Sequence, residues 1–177
     1  MKTANHLSDR SNSIRLATEA TSEDIANLLL NLPLFEILER KEVAILSRHF
    51  KLYSVDAGAV LFTEGDAGDF MAIVVSGSAD LSKGSEDGSV RSKFATAGSG
   101  KLLGEMALID GEPRSASAAF EKSAKILVLS RESFESIISE YEKAGIALLW
   151  RLCRNISHRL RQTTGMLLDS QRMQGRP

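Results

Sequence analysis

Apolar positions along the chain change their period three times. Up to about residue 20 they follow no period, and this stretch is expected to be a flexible tail. Thr21 then offers an N-cap, with Glu23 and Asp24 in the first turn. Ile25, Leu28, Leu29 and Leu32 follow at helical spacing until Pro33 ends the run. A second helix is expected from Glu39 to His49, burying Val43, Leu46 and Phe50.

From Lys51 the pattern shortens. KLYSV, AVLFTEG, DFMAIVVSG, SADLSKG, VRSKFATAG, KLLGE, SASAAFE and KILVLS are punctuated by glycine or charge. Eight such segments predict an antiparallel jelly-roll β-barrel, and SEDG at 85–88 reads as a hairpin loop. The predicted fold class is α+β, mainly β, with helices at both ends.

After Ser130 the helical period returns. Ser130 can cap RESFESIISEY, and a longer helix is expected from Glu142 to Gln171. Along it Ile146, Leu149, Cys153, Ile156, Leu160, Thr163 and Leu167 recur at spacings of three and four, a heptad seam. The seam is read as a homodimer interface, with docking on the chain's own strands as the alternative. Gly145 and Gly165 are candidate bends. The expected organisation is therefore a tail (1–20), one domain (helices 21–50, strands 51–130, helices 131–171) and a short tail (172–177).

Composition narrows the partners. With 177 residues, 43% apolar and 25% charged, the chain can build one core. A net charge of −1 does not suit a coat for nucleic acid or acidic membrane. The single cysteine, Cys153, allows no intrachain disulfide and fits a cytoplasmic protein. His6, His49 and His158 lack metal-ligand spacing. Arg151, Arg154, Arg159 and Arg161 are expected to form a solvated helix face.

The candidate chemistry lies in GEMALIDGEPRSAS, residues 104–117. A helical turn opening at Gly104 directs free N–H groups at an anion, and glycine allows close approach. Gly111 and Pro113 end the turn. Arg114 can then grip phosphate oxygens with two parallel donors, with the Ser115 hydroxyl beside it. Glu105 would repel a phosphate but suits the hydroxyls of a sugar. Phosphate and ribose together suggest a nucleotide.

This stretch resembles the phosphate-binding cassette of cyclic nucleotide-binding domains, which pair Gly-Glu and Ala-Leu with Pro-Arg, a small residue and alanine. Gly104, Glu105, Ala107, Leu108, Pro113, Arg114, Ser115 and Ala116 match; Leu103 replaces the usual aromatic. The resemblance extends from about Leu34 to Leu168. It implies that Glu105 holds the ribose 2′-OH and Arg114 the cyclic phosphate. It also implies phosphate contacts from the amides of Met106 or Ala107 and of Ala116. HRLRQTTGML resembles the long helix of the family's bacterial activator, implying that Thr163 and Thr164 reach the base, one from each subunit. The implied function is a cAMP or cGMP sensor without its own output domain, acting on an unknown protein partner, with no cofactor and no catalysis. The rival is a ligand-free interaction protein that keeps the fold.

Overall fold

The structure, a computed structural model, describes residues 13–85 and 91–174. The helical frame begins with α1 (Ser22–Leu30), a single 3-10 turn (Pro33–Phe35) and α2 (Arg40–Leu46). Thr21 caps α1 reciprocally: its Oγ1 accepts from the Asp24 amide at 3.1 Å, and Asp24 Oδ2 accepts from the Thr21 amide at 2.9 Å.

Nine strands are formed among the described residues. They are β1 (Ile14–Leu16), β2 (Phe50–Val55), β3 (Val60–Phe62), β4 (Phe70–Ser76), β5 (Ala79–Gly84), β6 (Arg91–Ala97), β7 (Leu102–Leu103), β8 (Ser117–Ala119) and β9 (Ala124–Ser130). They form two antiparallel sheets, ordered β1-β2-β9-β4-β7 and β3-β8-β5-β6. The expected closed eight-stranded barrel is not formed. Each strand is hydrogen-bonded within one sheet, and the two sheets face each other across a core that includes Tyr53, Phe70, Leu61 and Ala118. Closure needs an unbroken ladder, and the edges here include a two-residue and two three-residue strands.

The chain also enters the fold earlier than expected. Ile14, assigned above to the polar tail, is fully buried, and β1 pairs with β2 from Ile14↔Val55 to Leu16↔Tyr53. One apolar residue among polar neighbours carries no period, yet it fills a gap in the inter-sheet core. The tail residues 1–12 and 175–177, and most of the 85–88 loop, lie outside the described residues.

The continuous apolar runs in β4 and β9 have one cause: the five-stranded sheet is covered on both faces. Phe70, Ala72 and Val74 point to the inter-sheet core, while Met71 and Ile73 point to the helices. Likewise Ile126 and Val128 face one way, Leu127 and Leu129 the other. The helical side is filled by α1, α2, α4 (Arg131–Glu140) and α5 (Glu142–Gln174). Ser130 caps α4 by accepting from the Ser133 amide.

α5 has two apolar faces. Ala144, Leu148 and Leu152 are buried on the chain's own core, whereas Ile146, Trp150, Leu160 and Leu167 of the outer face are exposed. Most of the heptad seam read from the sequence therefore lies on the outer face, while its Leu149 packs against the chain's own core. Gly145 has a packing role at the start of α5. A Cβ there would stand 2.9 Å from Ile138 Cα and 3.2 Å from Ile137 O, so glycine lets α5 start flush against α4. Among the described residues, no helix is long and apolar enough to cross a membrane.

Candidate functional site

Between β7 and β8 the chain forms α3 (Glu105–Asp110), bounded by two glycines. Gly104 has φ 75° and ψ 15°, and Gly111 has φ 77° and ψ 0°. Both are left-handed conformations that glycine adopts without strain. Gly104 is required a second time, because a Cβ there would collide with Arg114 Nη1.

Arg114 is the centre of the arrangement. Only 2% of it is exposed. Its Nη1 donates to the Gly104 carbonyl at 2.9 Å. Its guanidinium carbon lies 4.3 Å from the Phe62 ring centroid and 4.5 Å from that of Phe70. The two rings stand at 62° to each other, so aromatic faces desolvate the cation while attracting it. Backbone bonds to the β3–β4 loop fix its position: Arg114 N–H donates to Asp66 O at 2.8 Å, and Gly65 N–H donates to Arg114 O at 2.9 Å. α3 is under two turns long, so the charge of the site comes from this guanidinium far more than from a helix dipole.

Glu105 is the second buried charge, 1% exposed. Its Oε1 lies 2.7 Å from Arg159 Nη1 of α5, an ion pair by distance but not an aligned hydrogen bond. Arg159 Nη2 also donates to the Leu102 carbonyl at 3.3 Å. Arg159 was expected above on a solvated helix face; its side chain is instead only partly exposed and its guanidinium is paired with the buried Glu105. Leu148, Leu152 and Arg159 share one inward stripe of α5 at spacings of four and seven, and that period was the signal for it.

Other predicted residues divide. Gly104, Glu105 and Arg114 come together, with Ala107 buried beside them. Met106 and Ser115 are exposed, and Ala116 is half-buried at the approach to β8. Thr163 and Thr164 lie on exposed α5 surface. Their hydroxyls donate back to Arg159 O at 3.0 Å and Leu160 O at 2.9 Å, as threonines do within helices.

Arg131 was missed. Its guanidinium donates to Leu108 O at 3.0 Å, Ala107 O at 2.6 Å and Gly68 O at 2.8 Å, closing the carbonyl end of α3 from the start of α4. Gly68 leaves no room for a side chain against Ala107. Phe62 and Phe70 were also missed as partners of Arg114; they end β3 and begin β4, and only the fold brings them to it. Among the described residues no three His, Cys, Asp or Glu side chains converge as a metal-ligand set.

The profile of the cyclic nucleotide-binding domain family matches residues 52–141. The chain is 32% identical over 114 residues to a cAMP-dependent protein kinase regulatory subunit of Aspergillus niger, covering 64% of this chain and 27% of that protein. It is 35% identical over 106 residues to a cyclic AMP receptor protein of Thermus thermophilus, covering 60% and 49%. It thus spans less than two thirds of either relative. A crystal structure of a cyclic nucleotide-binding domain from Methylobacillus flagellatus superposes with a TM-score of 0.78, at 27% identity over 90% of both chains.

Proposed function

This chain belongs to the cyclic nucleotide-binding domain family, and from that membership we propose that it is a cyclic-nucleotide sensor, favouring cAMP over cGMP, that signals by moving its C-terminal helices. The observation that carries the reading is Arg114: a guanidinium buried between Phe62 and Phe70 and fixed on the carbonyl of Gly104, the residue that precedes the buried acid Glu105. A desolvated cation of this kind suits a phosphate. Glu105 is the acceptor for a ribose 2′-OH, and the amides of Met106 or Ala107 and of Ala116, with the Ser115 hydroxyl, complete the phosphate contacts. The preference for cAMP is supported by the relatives named for it.

Signalling follows from the ion pair. The acid that would take the sugar is held by Arg159 of α5. A ligand hydroxyl that competes for Glu105 changes the hold on α5, and the helix is the moving part. The outer face of α5, with Trp150 and Leu160 each 66% exposed, supports a homodimer formed through this helix. In such a pair Thr163 and Thr164 approach the base from the partner or their own chain. The chain acts by binding, without turnover, in the cytoplasm.

Calorimetry with cAMP, cGMP and linear AMP tests the reading, with Arg114→Ala as the control. We expect one cyclic nucleotide per chain and a loss of about 2–4 kcal/mol in the variant. No heat with either cyclic nucleotide would leave the ligand-free interaction protein as the better account.

A further inference from the structure

A cavity lies away from the cassette, between the Pro33–Phe35 turn, the β6–β7 connection and α5, with a volume of about 320 Å³. Its wall carries Lys101, Arg151, Arg154 and His158, and no carboxylate. The chain as a whole is balanced, 22 lysines and arginines against 23 acids, so this concentration is a local feature and not a reflection of composition.

The helix supplies the convergence. Arg151, Arg154, Asn155 and His158 fall at i, i+3, i+4 and i+7, so all four stand over the same side of α5. Lys101 faces them from the turn before β7, and the Pro33 and Leu34 side chains close the remaining wall. Arg151 Nη2 is buried and finds no hydrogen-bond partner among the described residues. A buried guanidinium nitrogen without an acceptor is costly, and like charges gathered on one helix face repel. Both costs are relieved by a multivalent oxyanion.

We propose that this cavity is a second anion site, built for a compact molecule bearing a diphosphate or triphosphate group. Its volume suits a small ligand, and the buried Arg151 Nη2 favours a compact group that reaches into the cavity. Arg151 and Arg154 offer forked donors to phosphate oxygens, Lys101 a point charge from the opposite wall, and Asn155 a neutral donor. The site is independent of the cassette reading: none of its lining residues belongs to 104–117. It is nonetheless adjacent. Lys101 precedes Leu102 and His158 precedes Arg159, the two residues joined by the 3.3 Å contact at the foot of the cassette. An anion here would clamp α5 to the β6–β7 connection.

The test is calorimetric titration of the full chain with inorganic pyrophosphate, orthophosphate and citrate at fixed ionic strength. Pyrophosphate is expected to bind one per chain and at least about tenfold more tightly than orthophosphate. Saturation with cAMP should leave that site available. Arg154 is exposed, so Arg154→Glu preserves the fold; alone it should weaken pyrophosphate about tenfold, and with Lys101→Glu abolish it. Citrate binding as tightly as pyrophosphate would overturn the phosphate assignment. Pyrophosphate binding that is absent, that survives the double reversal, or that cAMP displaces one for one would overturn the site itself.

Discussion

Arg159 and Glu105 meet 2.7 Å apart, one from the C-terminal helix and one from the first residue of the cassette helix, and they differ sharply in exposure. The Arg159 side chain is 43% exposed while Glu105 is sealed. The arginine can leave into water at modest cost; the glutamate cannot.

That asymmetry sets the outcome of Arg159→Gln. Removing the cation leaves a buried carboxylate poorly compensated, and stability should fall by about 1–3 kcal/mol in urea unfolding. Glu105→Gln in the same background should recover part of it. Simple additivity of the two changes would show that the pair contributes nothing to the fold.

Gly104 and Gly98 make a matched comparison. Gly104→Ala meets both a positive φ and Arg114 Nη1, and should cost at least about 1–3 kcal/mol along with most nucleotide affinity. Gly98 has open space and no positive φ, so Gly98→Ala should be neutral or slightly stabilising by thermal denaturation. Equal effects at the two positions would contradict the geometry of the cradle.

If Glu105 takes the ribose, the wild type should bind 2′-deoxy-cAMP much more weakly than cAMP, by about 1–3 kcal/mol. Against Glu105→Ala the two ligands should bind nearly alike. A ribose preference that persists in the variant would assign the hydroxyl to another group.

The two faces of α5 predict opposite failures. Leu160→Glu, on the exposed face, should yield a folded monomer by light scattering and circular dichroism. Leu152→Glu, fully buried among the helices, should unfold the domain, since a core position cannot hold an unpaired charge. Wild-type protein that stays monomeric at all concentrations, with and without cAMP, would rule out the interface.

Features specified by a few adjacent residues were legible in the sequence. The caps Thr21 and Ser130 bond within three residues of themselves, and the two glycines of the cassette are dictated by left-handed backbone. The union of Gly104, Glu105 and Arg114 was legible for the same reason, being a matter of ten residues. What failed was long-range. Ile14 pairs with Val55, Arg159 reaches back 54 positions to Glu105, and Arg131 spans 63 to Gly68. No local period reports which distant surface a side chain will meet. The barrel failed likewise, because closure depends on edges that are far apart in the chain. Arg151 read as one more solvated arginine, and only the turn at 99–101 converts it into the wall of a cavity.

β7 is two residues long, and its brevity has a mechanical result. Leu102 sits in the helical core and Leu103 in the inter-sheet core, and the next residue is Gly104. Three successive residues thus belong to the helix layer, the sheet layer and the cradle. Two residues of extended chain span roughly 7 Å, too short to stretch or to absorb slack. The cradle has no cushion against the helices: a tug on the Leu102 carbonyl, where Arg159 also holds, is delivered to the Gly104 turn almost undamped.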